Sequence, residues 1–96
     1  MIHAALRFFQ FTLLLIMALP TPEQLRALIA AGLECTQLDV QGDGQHFFAT
    51  IVSPAFAGQS RLARHRLVYA ALGDRMRAEI HALSMRTLAP GEPLPG

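Results

Sequence analysis

The 96-residue chain has a single cysteine, Cys35, and so cannot form an internal disulfide. A secreted, disulfide-stapled scaffold is excluded, and a reducing compartment, the cytoplasm, fits best. Charge is also scarce: eight basic and seven acidic side chains leave a net +1, and every basic one is arginine. Low charge beside 52 % hydrophobic residues reverses the composition that keeps chains disordered. There are no internal repeats. Gly42-x-Gly44 lacks the third glycine and following helix of a dinucleotide loop and reads as a hairpin turn. No nucleophile stands beside a base in a recognisable motif, so no enzyme is expected.

Only one long hydrophobic run exists, at the start, where Met1 to Ile16 holds 12 of the 50 hydrophobic residues. The other 80 positions carry 38, an ordinary share for one small domain. The run from Ala4 to Leu19 is interrupted by Arg7, Gln10 and Thr12 and falls short of the ~20 apolar residues of a membrane span. A signal peptide would use His3 and Arg7 as a thin basic region, but Pro20 and Pro22 spoil the cleavage site. The preferred reading treats residues 1–16 as an upstream extension of a chain that starts naturally at Met17, with signal or anchor as the alternative. The folded domain is then expected over 17–90, off the membrane, with a loose tail at 91–96 marked by Pro93 and Pro95.

Thr21-Pro22-Glu23-Gln24 supplies an N-cap, a proline at the first helical position and the partner of a capping box. A helix follows, with Leu25, Leu28 and Ile29 on one stripe and Gly32 as its left-handed end. Cys35 to Val40 alternates as a half-buried strand, Gly42-Asp43-Gly44 turns, and Phe47 to Val52 returns as a second strand. Ser60 caps a helix from Arg61 to Leu72 that Gly73 closes. Asp74 opens a short helical turn over 75–79, and His81 to Leu88 reads as a third strand. The order helix, strand, strand, helix, short helix, strand predicts an α+β domain with helices on one face of a small sheet.

Phe56-x-Gly58-x-x-Arg61-x-x-Arg64-His65-Arg66-x-Val68-Tyr69-x-x-Leu72, followed by Ile80-His81-Ala82-Leu83, closely resembles the signature of the BolA-like proteins. Gly42-Asp43-Gly44-Gln45-His46-Phe47 looks like the IbaG branch of that family. The resemblance covers about Pro22 to Pro90. It implies a three-stranded fold similar to class II KH domains and a non-enzymatic role. Members pair with monothiol glutaredoxins to share a two-iron two-sulfur cluster, holding none alone, and some are described as DNA-binding transcriptional regulators in stress responses. Such a chain is expected to be a monomer or weak homodimer by itself.

Imidazole is the main metal-binding group available here. His81 matches the family histidine that reaches the shared cluster; without the resemblance it reads as a structural residue at a strand start. His46, just after the glycine turn, lies where the resemblance implies a second cysteine or histidine ligand, or else is a solvent-facing strand residue. His65 shares a helix face with Val68, Tyr69 and Leu72 and is expected to pack inside and hydrogen-bond. Cys35 reads as a small buried hydrophobe.

For nucleic acid the candidates are Arg61, Arg64, Arg66, Arg75 and Arg77. From Met17 onward, however, seven arginines meet seven acids, a weak footprint for phosphate binding. Arg64 and Arg66 project roughly 160° apart on a helix, so they cannot track one backbone together. The Gly-x-x-Gly loop of KH domains is missing. Three readings of the arginines stand: a solvated helix paired with acids, a surface for an acidic protein partner, and a DNA contact.

Overall fold

The computed structural model describes residues 21–43, 45–74 and 82–94. The N-terminal extension, the short turn expected over 75–79, and His81, Arg75 and Arg77 lie outside the described residues. Among the described residues no helix is long and apolar enough to cross a membrane.

Helix α1 spans Pro22–Gly32 and begins as its sequence dictates. Thr21 Oγ1 accepts from the Gln24 amide at 3.1 Å, and Gln24 Oε1 accepts from the Thr21 amide at 3.2 Å. Two amides that the first turn would leave unpaired are thereby satisfied, a cap of about 1 kcal/mol. The end differs from expectation. Gly32 still belongs to the helix, and Leu33 in extended conformation is the C-cap, its amide bonded to the Ile29 carbonyl. Gly32 is small for a packing reason: a Cβ there would lie 2.9 Å from Cα and Cβ of Ala71 on the second helix.

Strands β1 (Gln37–Gly42) and β2 (Phe47–Val52) pair antiparallel, from Gln37 opposite Val52 to Gly42 opposite Phe47. The first strand starts two residues later than its alternation predicted, so Cys35 precedes it, half-buried, with its Sγ 3.3 Å from the Leu33 carbonyl. Burial raises the Cys35 thiol above its ordinary range despite the nearby Arg26, keeping it protonated and inert. A 3₁₀ turn over Pro54–Phe56 then drives the fully buried Phe56 into the core. Helix α2, Arg61–Leu72, is capped by Ser60 Oγ accepting from the Ala63 amide and closed by Gly73 at φ +72°. That crossover lets β3 (Leu83–Leu88) pair parallel to β2, from Phe47 opposite Leu83 to Val52 opposite Leu88.

The sheet order is β1-β2-β3. Alternation along β2 and β3 sends Phe47, Ala49, Ile51, Leu83 and Met85 to one face, where they join Leu25 and Ile29 of α1 and Val68 and Leu72 of α2 in one core. The opposite face bears the exposed Phe48 and Arg86, the guanidinium lying 5.3 Å from the ring centroid. The α+β class and the placing of both helices on one face are as expected.

Ser53, buried and polar, ties four segments together. Its hydroxyl donates to the Glu34 carbonyl and accepts from the Ala55 amide, while its own amide donates to the Leu88 carbonyl at 3.0 Å. Every polar atom it buries has a partner, as burial requires.

Candidate functional site

Among the described residues, chemistry-bearing side chains gather at two places, both beside β3. The first is the end of the sheet where β2 and β3 begin. Between β1 and β2 the Asp43 carboxylate accepts from the amides of Gln45 and His46, each at 2.9 Å, and the Asp43 amide donates to the His46 carbonyl at 3.2 Å. An aspartate at the head of a turn does this work because its short side chain reaches the amides two and three residues on. Those amides hold the Asp43 carboxyl below its ordinary range, so the turn is charged and locked near neutral pH.

This turn presents His46. Its side chain is exposed and its ring makes no hydrogen bond among the described residues, so both nitrogens remain available. A shallow recess of about 380 Å³ opens beside it, lined by Gly42, Asp43, Phe47, Phe48 and Ser84. Ser84 comes from β3, so the recess joins the two parallel strands at their N-terminal ends. Register brings Leu83 opposite Phe47, the neighbour of His46. His81, two positions before Leu83 in the sequence, lies outside the described residues. Among the described residues no three His, Cys, Asp or Glu side chains are grouped to hold a metal.

The second place is the groove between α2 and β3, and here the Arg-His-Arg triplet divides into three fates. Arg64 is turned inward: Nε donates to the Gln59 carbonyl at 2.9 Å, and Nη1 to the Thr87 carbonyl at 3.1 Å and to Glu92 Oε1 at 2.6 Å. Nη2 completes the pair with Glu92 Oε2 at 3.0 Å. Four of its five N–H groups are thus committed within the chain, and its guanidinium also lies 5.9 Å from the Phe56 ring centroid. Glu92 accepts from the Ala89 amide as well, and Arg64 and that amide together hold its carboxyl down at about 2. The tail expected to be loose from residue 91 is pinned at Glu92, while Leu94 is exposed.

His65 is half-buried on α2, as its helix face predicted, but its Nε2 is buried without a hydrogen-bond partner, contrary to the expectation that it would be satisfied. Burial, with Arg61 nearby, lowers its pKa, so the ring is neutral at pH 7. Arg66 and Arg61 are exposed and have no acidic partner among the described residues. Arg86 on β3, which sequence reasoning passed over, lines the groove together with Arg61. Strand alternation alone could have put Arg86 on the open face, where its guanidinium lies over Phe48, but that its strand also borders the groove depends on how α2 packs.

The family model described as BolA-like protein matches residues 29–92. A BolA protein homologue from Coxiella burnetii is similar in structure, with a TM-score of 0.65 at 44 % identity over 74 % of this chain and 92 % of that one. The BolA domain of SufE1 from Arabidopsis thaliana has a TM-score of 0.64 at 36 % identity, covering 75 % of this chain and 94 % of that one. Among curated proteins, the DNA-binding transcriptional regulator BolA of Vibrio cholerae is 44 % identical over 54 % of this chain and 49 % of its own length. The chain spans 57 % of one curated relative, from Sinorhizobium, and 14 % of another, the SufE-like protein 1 of Arabidopsis thaliana.

Proposed function

Because this chain belongs to the BolA-like protein family, we propose that it is a non-enzymatic adaptor that pairs with a monothiol glutaredoxin. In that complex it contributes His81, with His46, to a shared two-iron two-sulfur cluster, serving iron–sulfur trafficking or iron and stress signalling in the cytoplasm. The carrying observation is the end of the sheet where β2 and β3 begin together, with the exposed, unbonded ring of His46 beside the register pair Phe47 and Leu83.

A two-iron two-sulfur cluster takes four protein ligands, usually thiolates, and histidine in place of cysteine raises its potential. This chain has one cysteine, Cys35, held protonated by burial, so its contribution is imidazole and the thiolates come from the partner. His46 is suited to the task by its exposure and by a turn that Asp43 fixes before any ligand arrives. The cluster is cargo carried between two proteins.

The Vibrio cholerae relative bears a DNA-binding name. Transfer of that role is disfavoured by Arg64, whose guanidinium is spent on Gln59, Thr87 and Glu92 and has a single N–H left for a phosphate. Co-expression with a monothiol glutaredoxin tests the adaptor reading. A brown heterodimer is expected, with its visible absorption reduced in His81→Ala and His46→Ala. No complex, or an unaltered spectrum in His81→Ala, overturns it.

A further inference from the structure

Strand β1 leaves one edge of the sheet open. In an antiparallel pair, alternate residues bond to the neighbouring strand and those between them turn N–H and C=O outward. The Asp43 amide bonds to the His46 carbonyl, which makes Gln37, Asp39 and Gln41 the inward residues of the ladder and Leu38, Val40 and Gly42 the outward ones. The contact from α1 agrees: Arg26 Nε reaches the Leu38 carbonyl at 3.4 Å. Among the described residues the outward groups of Val40 and Gly42 have no partner. The strand has no proline or lysine to turn a neighbouring strand away, and the exposed Arg26 guards one carbonyl through a long bond. Ala30, one helical turn beyond Arg26, is exposed and too short to shield the rest.

We propose that a second copy of this chain docks at this edge, β1 against β1 antiparallel about a two-fold axis at Val40, joining the two sheets into one. Registers differ in what they bring together. Centring on Val40 sets Leu38 opposite Gly42 of the other copy, so that every outward residue of both strands is paired. On the exposed face it sets Asp39 opposite Gln41 in both symmetric positions, a carboxylate against an amide donor. The two groups already match within one chain, where Gln41 Nε2 donates to Asp39 Oδ2 at 3.1 Å. Centring on Asp39 would oppose the two Asp39 carboxylates, and centring on Gln41 would oppose Asp39 to Asp43, like charges that destabilise a strand pair. Centring on Leu38 would set Val40 against Thr36, whose amide is already bonded inward to the Val52 carbonyl. Charge and backbone thus select one register. A strand edge buries less than the roughly 800 Å² per partner of a standard stable interface, so the dimer is weak. An unrelated extended strand would gain the backbone bonds without the doubled Asp39–Gln41 match. The inference does not rest on the cluster reading, because it uses neither His46 nor a metal.

The test is sedimentation equilibrium of the full chain up to about 1 mM, joined to isotope-filtered NMR of an equimolar mixture of ¹³C-labelled and unlabelled chain. A reversible monomer–dimer equilibrium is expected, with an interchain NOE between the Hα atoms of Asp39 and Gln41, which face each other closely at a non-hydrogen-bonded position. Gln41→Lys should tighten self-association roughly fivefold and Gln41→Glu should weaken it by a similar factor. Because the whole chain carries +1, an added lysine would weaken any association driven by net charge alone, so the two readings differ in sign. Both variants replace an exposed side chain, and dispersed amide spectra verify folding. Absence of self-association at the highest concentration, association without the interchain NOE, or an equal or reversed response to the two charges would each overturn the proposal. So would a Val40 amide protected from exchange in the monomer, since the chain's own residues would then cover the edge.

Discussion

Arg64 and Glu92 are 28 residues apart in sequence and form a two-pronged ion pair, Nη1 to Oε1 at 2.6 Å and Nη2 to Oε2 at 3.0 Å. The same guanidinium holds the carbonyls of Gln59 and Thr87, so one side chain joins the entry to α2, the outer strand β3 and the C-terminal tail. A residue that could have been taken for a phosphate contact is a strut.

Acid should release this strut. The Glu92 carboxyl titrates at about 2 in the folded chain, against about 4.3 when unfolded, so the unfolded state binds the proton first as pH falls. The stability it contributes is complete above the unfolded value and lost as pH drops through the folded one. Melting temperatures of the wild type and Glu92→Gln should therefore differ at pH 6 and converge toward pH 2. A gap that persists unchanged at pH 2 would show that the pair is not its source.

Among the three arginines of α2, only one should matter for stability. Arg64→Ala leaves the Thr87 carbonyl without a donor and Glu92 without a counter-ion, and should lower the melting temperature clearly, with Arg64→Lys intermediate because an ammonium cannot fork to two oxygens. Arg61→Ala and Arg66→Ala remove exposed side chains and should stay within about 0.5 kcal/mol in urea denaturation.

Ser53→Ala strips the hydroxyl that the Glu34 carbonyl and the Ala55 amide share in a fully buried position. Two lost hydrogen bonds, whose other partners lie on exposed residues, predict a loss of about 1–2 kcal/mol in chemical denaturation. Ser53→Cys, with a weaker and larger donor, should not restore it.

Gly32→Ala should destabilise the chain by about 1–3 kcal/mol, although alanine is the better helix former, because the new methyl would meet the Ala71 Cα and Cβ at 2.9 Å. Ala71→Gly in that background removes the Cβ contact alone and should recover part of the loss. A stabilised Gly32→Ala would mean that helix propensity outweighs the close approach.

These residues show which parts of the fold were legible in the sequence. Thr21 with Gln24, Ser60 and Gly73 act on amides and carbonyls within one turn, and local spacing found all of them. The α+β class followed from Phe47 to Val52 and the two amphipathic helices. Gly32 was read as a helix terminator because its neighbour across the helix pair, Ala71, is invisible to local pattern. Glu92 looked like a loose-tail residue for the same reason: its partner is far along the chain. The Phe56 to Leu72 motif carried the family resemblance, yet Phe56, Val68 and Leu72 are core residues and Arg64 is a strut, so much of its specificity is architectural. His46 was singled out by the family resemblance, but the recess it shares with Ser84 required the register of β2 and β3.

The central claim is that histidine nitrogen from this chain binds the cluster in the heterodimer. Its most direct measurement is the nitrogen hyperfine coupling of the reduced cluster, by pulsed electron paramagnetic resonance, in a complex where only this chain carries ¹⁵N-histidine. A ¹⁵N coupling that disappears in His81→Ala is the predicted result. A cluster signal with no ¹⁵N coupling would contradict the claim.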